Sequence, residues 1–152
     1  MINRIAGSFF IGALFISILD FLYFIGLKLN YFNFYKIDIY FNVLFYDNQN
    51  FYLLAPLSFV VGYILIYSFA AKFFMKIYIL VILLFMGALY EPVGKKLGES
   101  IFLKKNQQFL FGSTAFNGAI LYTGRDNIYI YRKELEKTIK LPIAEVKNIT
   151  IK

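Results

Sequence analysis

Three long apolar runs constrain this chain more than any other feature of its sequence. They cover residues 5–27, 52–71 and 73–91. A helix of about 20 apolar residues crosses the hydrocarbon layer of a bilayer, because each residue adds about 1.5 Å. Of the 152 residues, 60% are hydrophobic, a larger share than the roughly half that is usual in soluble domains. The sequence therefore predicts an integral membrane protein with about three transmembrane helices.

The first run has an alternative interpretation as a secretory signal peptide, because Arg4 precedes it. It is long for the apolar part of a signal peptide, it contains Asp20, and it lacks a small-x-small cleavage site before Lys28. We therefore expect this run to be a membrane-spanning helix that is not cleaved.

The second and third runs meet in the short stretch 71–76, which carries two lysines. Lys72 and Lys76 lie one helical turn apart and can both reach a headgroup layer. This spacing predicts a tight turn between two antiparallel helices. The third helix is expected to end at Glu91, because Pro92 disfavours helical geometry in the residue before it.

Residues 31–50 are aromatic but carry several polar groups. They form a poor span, since a crossing would bury most of those groups. We expect an aromatic segment that lies flat at the bilayer surface, on the face opposite the C-terminal module. A fourth crossing is the alternative. The polar residues are Asn33, Lys36, Asp38, Asn42 and Asp47.

Small and polar residues align along one face of the first two predicted helices. In lipid, close approach at small residues and hydrogen bonding at polar ones drive helix association. These faces are therefore predicted to pack, either within the chain or between copies, although chance alignment is the alternative. The residues are Ala6, Ala13, Ser17 and Asp20 on the first helix and Ala55, Ser58 and Gly62 on the second.

Asp20 is the ionisable residue that lies well inside a predicted span. An unpaired carboxylate in hydrocarbon is costly, so Asp20 must be protonated, paired or near water. The favoured interpretation is a hydrogen bond to Ser17, to a tyrosine or to a partner subunit that fixes helix packing. The alternative is a carboxylate that handles protons or ions.

Residues 92–106 read as a basic juxtamembrane linker. Lysines beside a span attract anionic lipid headgroups, so the bilayer is the expected partner and nucleic acid is not. The four lysines are Lys95, Lys96, Lys104 and Lys105.

From residue 107 to 152 the apolar pattern changes to a period of two, which is typical of β-strands. The sequence predicts a small all-β meander or open barrel, which we call the β module. Its best hairpin turns at residues 124–127, a second turn covers 133–136, and 142–145 is expected to form one helical turn. The predicted strands are QQFLF, GAILYT, NIYIYR, KTIKLP and VKNITI. A core of this size is marginal unless the module packs on the membrane or on copies of itself.

The chain contains no cysteine and no histidine, which excludes disulfides, thiol nucleophiles and the usual zinc sites. No phosphate-binding glycine loop and no nucleophile-and-base pattern occurs either. We therefore expect no enzyme, no catalytic residue, no cofactor and no metal.

The distribution of basic residues predicts the orientation. The positive-inside rule favours a cytoplasmic tail, because that arrangement puts six basic residues inside against three outside. The six are Lys28, Lys36, Lys95, Lys96, Lys104 and Lys105, and the three are Arg4, Lys72 and Lys76.

The composition is typical of small multi-pass proteins of the bacterial inner membrane. We expect a non-catalytic membrane subunit that assembles with itself or with a larger membrane partner and uses the β module as a docking or regulatory surface. The alternative is a small transporter or channel subunit in which copies enclose a path lined by Asp20.

Overall fold

A computed structural model describes residues 2–148. Across this part of the chain five α-helices precede a five-stranded sheet. The helices are α1 (Ile2–Leu27, extended by a π-helical turn at Lys28–Phe32), α2 (Phe41–Asn48), α3 (Phe51–Tyr67), α4 (Ala71–Met86, extended by a 3-10 turn at Gly87–Leu89) and α5 (Glu91–Phe102). The strands are β1 (Lys104–Phe111), β2 (Thr114–Thr123), β3 (Asn127–Arg132), β4 (Lys137–Pro142) and β5 (Val146–Asn148).

Two helical segments in the described residues, Asn3–Phe32 and Ala71–Leu89, are long and apolar enough to cross a membrane. The pair α2 and α3 gives a third if it forms one span, although it is bent by 84°. The helix breaks there because Asn50 caps α3, its side chain accepting a hydrogen bond from the Leu53 amide at 3.2 Å. Two or three long apolar helices followed by a C-terminal β module confirm the predicted order of elements.

The turn between α3 and α4 lies at residues 68–70, earlier than the sequence indicates. Ser68 Oγ accepts a hydrogen bond from the Ala70 amide at 3.1 Å, which stabilises a turn of this kind. Lys72 and Lys76 consequently belong to the first turns of α4.

The three apolar helices run up, down and up. Helix α3 is antiparallel to α1, because Gly62 lies against Ser8 and Ser58 against Gly12. Helix α4 is parallel to α1, because the Phe15 ring contacts Tyr78 and, further along both helices, the Tyr23 ring contacts Phe85. The Tyr78 hydroxyl also donates a hydrogen bond to the Phe15 carbonyl oxygen at 2.8 Å. The segments that follow α1 and α4 therefore emerge at the same end of the helices.

The sheet is antiparallel, has the strand order β4-β3-β2-β1-β5, and curves into a half-barrel. Strands β1 to β4 form the predicted meander, and β5 pairs with the free edge of β1. The predicted hairpin is confirmed: Thr123 pairs with Ile128, and the Gly124 amide donates to the Asn127 carbonyl oxygen at 2.9 Å. The turns at 133–136 and 142–145 also form, as 3-10 turns. Residues 149–151 of the last predicted strand lie outside the described residues.

The prediction that residues 31–50 lie opposite the β module is wrong. Tyr129 donates a hydrogen bond to the Asp38 carbonyl oxygen at 2.8 Å, and Thr138 donates to the Tyr35 carbonyl oxygen at 2.6 Å. The physical reason is the parallel course of α1 and α4, which brings both following segments to one end. Within this segment residues 33–36 form a turn, in which Lys36 has a φ of 55°.

One hydrophobic core joins this segment and the end of α1 to the sheet. Its fully buried members are Leu27, Tyr31, Phe32, Ile37 and Leu44 on the helical side and Leu121 on the sheet. A second core lies on the other face of the sheet and contains Phe109, Ile120, Ile128 and Ile130. Because the first core is continuous, the β module is fixed to the helices.

Candidate functional site

A groove lies where α5 and residues 34–35 meet strands β1 to β3, and we call it the junction groove. It encloses about 640 Å³. Its walls combine aromatic rings with lysines and amides. The residues that give it this character are Tyr35, Lys95, Lys105, Asn117, Tyr131 and Lys133.

Two glycines on α5 set one wall of the junction groove. A Cβ on Gly94 would lie 2.2 Å from the Ala88 carbonyl oxygen, and one on Gly98 would lie 2.2 Å from Cγ of Tyr31. Only residues without a side chain allow this approach. The close packing leaves Lys95 beside the groove, with Nζ 3.6 Å from the centre of the Phe34 ring.

A local irregularity in β1 forms another part of the wall. The β1–β2 register shifts between Lys104 and Gln107, and Asn106 has a φ of 56°, in the left-handed region that Asn tolerates. Both Lys105 and Asn106 line the groove as a result.

The acidic groups near the groove are already engaged. Glu99 Oε1 accepts a hydrogen bond from the Tyr35 hydroxyl at 2.7 Å, and Glu134 pairs with Arg132 at 2.9 Å. Burial, and then the bond to Glu99, raises the pKa of Tyr35, so the phenol stays protonated and donates.

The three lysines of the groove keep their charge available. Among residues 2–148, no carboxylate lies within ion-pair distance of Lys95, Lys105 or Lys133. The junction groove is therefore positively charged and suited to an anion.

Two of the four lysines predicted to contact headgroups, Lys95 and Lys105, line the junction groove, whereas Lys96 and Lys104 are exposed outside it. No pattern in the sequence indicates that Lys133 belongs with them. It follows β3 at a predicted turn, and only the packing of the sheet against α5 brings it to the other two.

Asp20 is on α1, and its side chain lies beside the break between α2 and α3. Its Oδ2 accepts a hydrogen bond from Gln49 Nε2 at 2.7 Å, and Ser17 is exposed on α1. A pocket of about 250 Å³ surrounds the carboxylate and includes Asn48, Gln49 and Asn50. Within the chain Asp20 is thus paired with Gln49, and not with Ser17 or a tyrosine. Gln49 is 29 residues away in the sequence, so helical spacing does not indicate this pairing.

The contact between α1 and α3 uses part of the predicted packing faces. Ser58 and Gly62 are buried in it, whereas on α1 the contact is made by Ser8 and Gly12. The small-xxx-small spacing, shared by Ser8–Gly12 and Ser58–Gly62, is the signal that indicates this pairing. Of the remaining predicted residues, Ala6, Ser17 and Ala55 are exposed and Ala13 is half-buried.

An apolar hollow of about 400 Å³ lies over Ala6, between α1 and α3. The rings of Phe9, Phe10 and Phe59 border it. The face of α1 that carries Ala6, Ala13 and Ser17 is thus left open to its surroundings.

The fold defines a class of protein: an apolar three-helix unit that carries a half-barrel on one end, with a basic groove between them. No protein family, no curated protein and no solved structure matches this chain.

Proposed function

We propose that the chain is a non-catalytic integral membrane subunit whose helices stand in the bilayer and whose β module is held at its surface. The exposed side chains support this division. Large apolar side chains are exposed all along α1, α3 and α4, whereas within the described part of the β module Leu135 is the single one, 57% exposed. The surface of the helices thus suits lipid, and the surface of the β module suits water.

The proposed location is the bacterial inner membrane, with the β module in the cytoplasm. The parallel course of α1 and α4 supports this orientation, because it gathers the larger group of basic residues at one end, where the positive-inside rule favours the cytoplasm. That group is Lys28, Lys36, Lys95, Lys96, Lys104 and Lys105.

The observation that carries assembly is the open face of α1. Ala6 and Ser17 are exposed, and the apolar hollow beside Ala6 has room for large side chains of another helix. Small residues let two helices approach closely, and a hydroxyl in lipid gains from a partner. The second copy of this chain is the partner that we propose, with α1 packed on α1.

A docking surface works best when it is held in one position. Tyr31, Tyr129 and Thr138 each form a hydrogen bond across the junction between helices and sheet. The β modules of two copies would therefore be presented to the cytoplasm at a fixed distance and orientation. A larger membrane partner is the alternative occupant of the α1 face.

Disulfide crosslinking tests the assembly directly, since the chain has no cysteine of its own. Ser17→Cys is expected to form a disulfide-linked dimer when native membranes are oxidised. Ile18→Cys is the matched control: it lies at the same depth and is also exposed, but about 100° further round the helix. Equal crosslinking of both variants, or of neither, contradicts an α1–α1 interface.

A transporter or channel subunit is the second candidate, and the position of Asp20 favours it. The carboxylate lies in a pocket at a helix break, close to the α1 face that would meet a second copy. Broken helices often mark ion sites in transporters. Asp20→Asn retains the shape of the side chain and removes its charge. Loss of a proton or cation flux in proteoliposomes, with crosslinking at Ser17 retained, supports transport, and an unchanged flux contradicts it.

A further inference from the structure

We infer that the junction groove binds the phosphate headgroup of an acidic phospholipid. This inference rests on the proposed location of the helices in a bilayer and on no other part of the proposed function. It concerns a defined pocket rather than a general attraction between lysines and a charged surface.

The charges of the groove match a phosphate group. Lys95, Lys105 and Lys133 come from a helix, a strand and a turn, and they converge on one cavity without a carboxylate partner in residues 2–148. The side-chain amides of Asn106 and Asn117 add hydrogen-bond donors. A cavity of about 640 Å³ is larger than a phosphate and has room for the headgroup that the phosphate carries.

The groove keeps a net positive charge. Among the described residues Glu134 is the carboxylate that lines it, and Glu134 pairs with Arg132, whereas Glu99, which accepts the hydrogen bond from Tyr35, does not line the groove. An arriving phosphate therefore meets three lysines and one carboxylate that is already paired.

The position of the groove favours a lipid over a free anion. Phe34 lines the groove and is itself 47% exposed, and Tyr90 and Val93, just before Lys95 in the chain, are also exposed and apolar or amphipathic. Such side chains suit the boundary between headgroups and hydrocarbon. A lipid can place its phosphate among the lysines and keep its glycerol and acyl chains beside these residues.

The test uses the full chain in a mild detergent, titrated with phosphatidylglycerol or with zwitterionic phosphatidylcholine, and bound lipid is counted by native mass spectrometry. A triple variant, Lys95→Gln, Lys105→Gln and Lys133→Gln, removes the charge of the groove. The matched control removes the same charge elsewhere on the module, through Lys137→Gln, Lys140→Gln and Lys147→Gln, three exposed lysines that do not line the groove.

We expect phosphatidylglycerol to bind in preference to phosphatidylcholine, and the groove variant to lose about a hundredfold in affinity, about fivefold for each lysine. The control variant should bind like the unchanged chain. Equal losses in the two variants, or equal affinity for the two lipids, overturn the proposal. Displacement of the lipid by an equal concentration of inorganic phosphate overturns it as well, since the groove would then take a free anion.

These results are separable from the proposed function. Release of the chain from membranes by alkaline carbonate would contradict its integral placement, and with it this inference. A chain that stays in the membrane but shows no lipid preference contradicts the headgroup site alone.

Discussion

The hydroxyl of Tyr31 donates a hydrogen bond to the backbone carbonyl oxygen of Leu121, 2.7 Å away and 90 residues later in the chain. Both residues are fully buried. This bond connects the π-helical turn that extends α1 to a residue near the C-terminal end of β2, within the core that the helices and the β module share. The attachment of the module therefore depends on a small number of polar contacts inside an aromatic core.

Tyr31→Phe is expected to destabilise the protein by about 1–3 kcal/mol, because the Leu121 carbonyl oxygen would stay buried without its donor. The measurement is the midpoint of thermal unfolding, followed by circular dichroism in detergent. Tyr40→Phe is the control, since the Tyr40 side chain is 79% exposed. An equal effect of the two substitutions would remove the Tyr31 bond from this role.

Gly62→Ala is expected to separate α1 and α3, because the new Cβ would lie 1.8 Å from the Ser8 carbonyl oxygen. Neither backbone can yield locally, so we expect a loss of about 1–3 kcal/mol, as in other overpacked sites. Gly7→Ala is the matched control, since a Cβ there meets nothing within 4 Å. Thermal stability in detergent distinguishes the two variants. Gly62→Leu should act more strongly in the same way, by disrupting each chain rather than the contact between copies.

Alkaline stability should depend on Tyr35. Burial and the bond to Glu99 raise its pKa above the ordinary value of 10.0, so the folded chain keeps a proton that the unfolded chain releases. The resulting contribution is complete below pH 10 and is lost as the pH rises through the pKa of the folded state. In Tyr35→Phe, the free energy of unfolding should change less with pH above 10 than in the unchanged chain. A slope equal to that of the unchanged chain would contradict the assignment.

The sequence predicts the elements whose signals are local. The hairpin around Gly124 follows from alternating apolar residues and a turn-forming cluster, and both are read over about ten residues. The apolar helices follow in the same way from length and hydropathy. None of these elements depends on a distant partner, which explains why the structure confirms them.

The junction between helices and sheet depends on distant partners and could not be predicted in this way. Gly94 and Gly98 look like the glycines of a flexible linker, and only the positions of Ala88 and Tyr31 show that they allow close packing. The side on which residues 31–50 lie is a different case. With three crossings, the segments that follow the first and third helices share one side, so the count of crossings alone gives the position that the structure shows.

We propose that three crossings place residues 31–50 and the β module together at one face of a membrane. Single cysteines at Lys36, Lys133 and Phe69, introduced into a chain that has none, test it with a membrane-impermeant thiol reagent on sealed vesicles of known orientation. We expect Lys36→Cys and Lys133→Cys to react from the same side, and Phe69→Cys, in the turn between α3 and α4, to react only from the other. Labelling of Lys36→Cys and Lys133→Cys from opposite sides, or of all three from one side, would contradict this account.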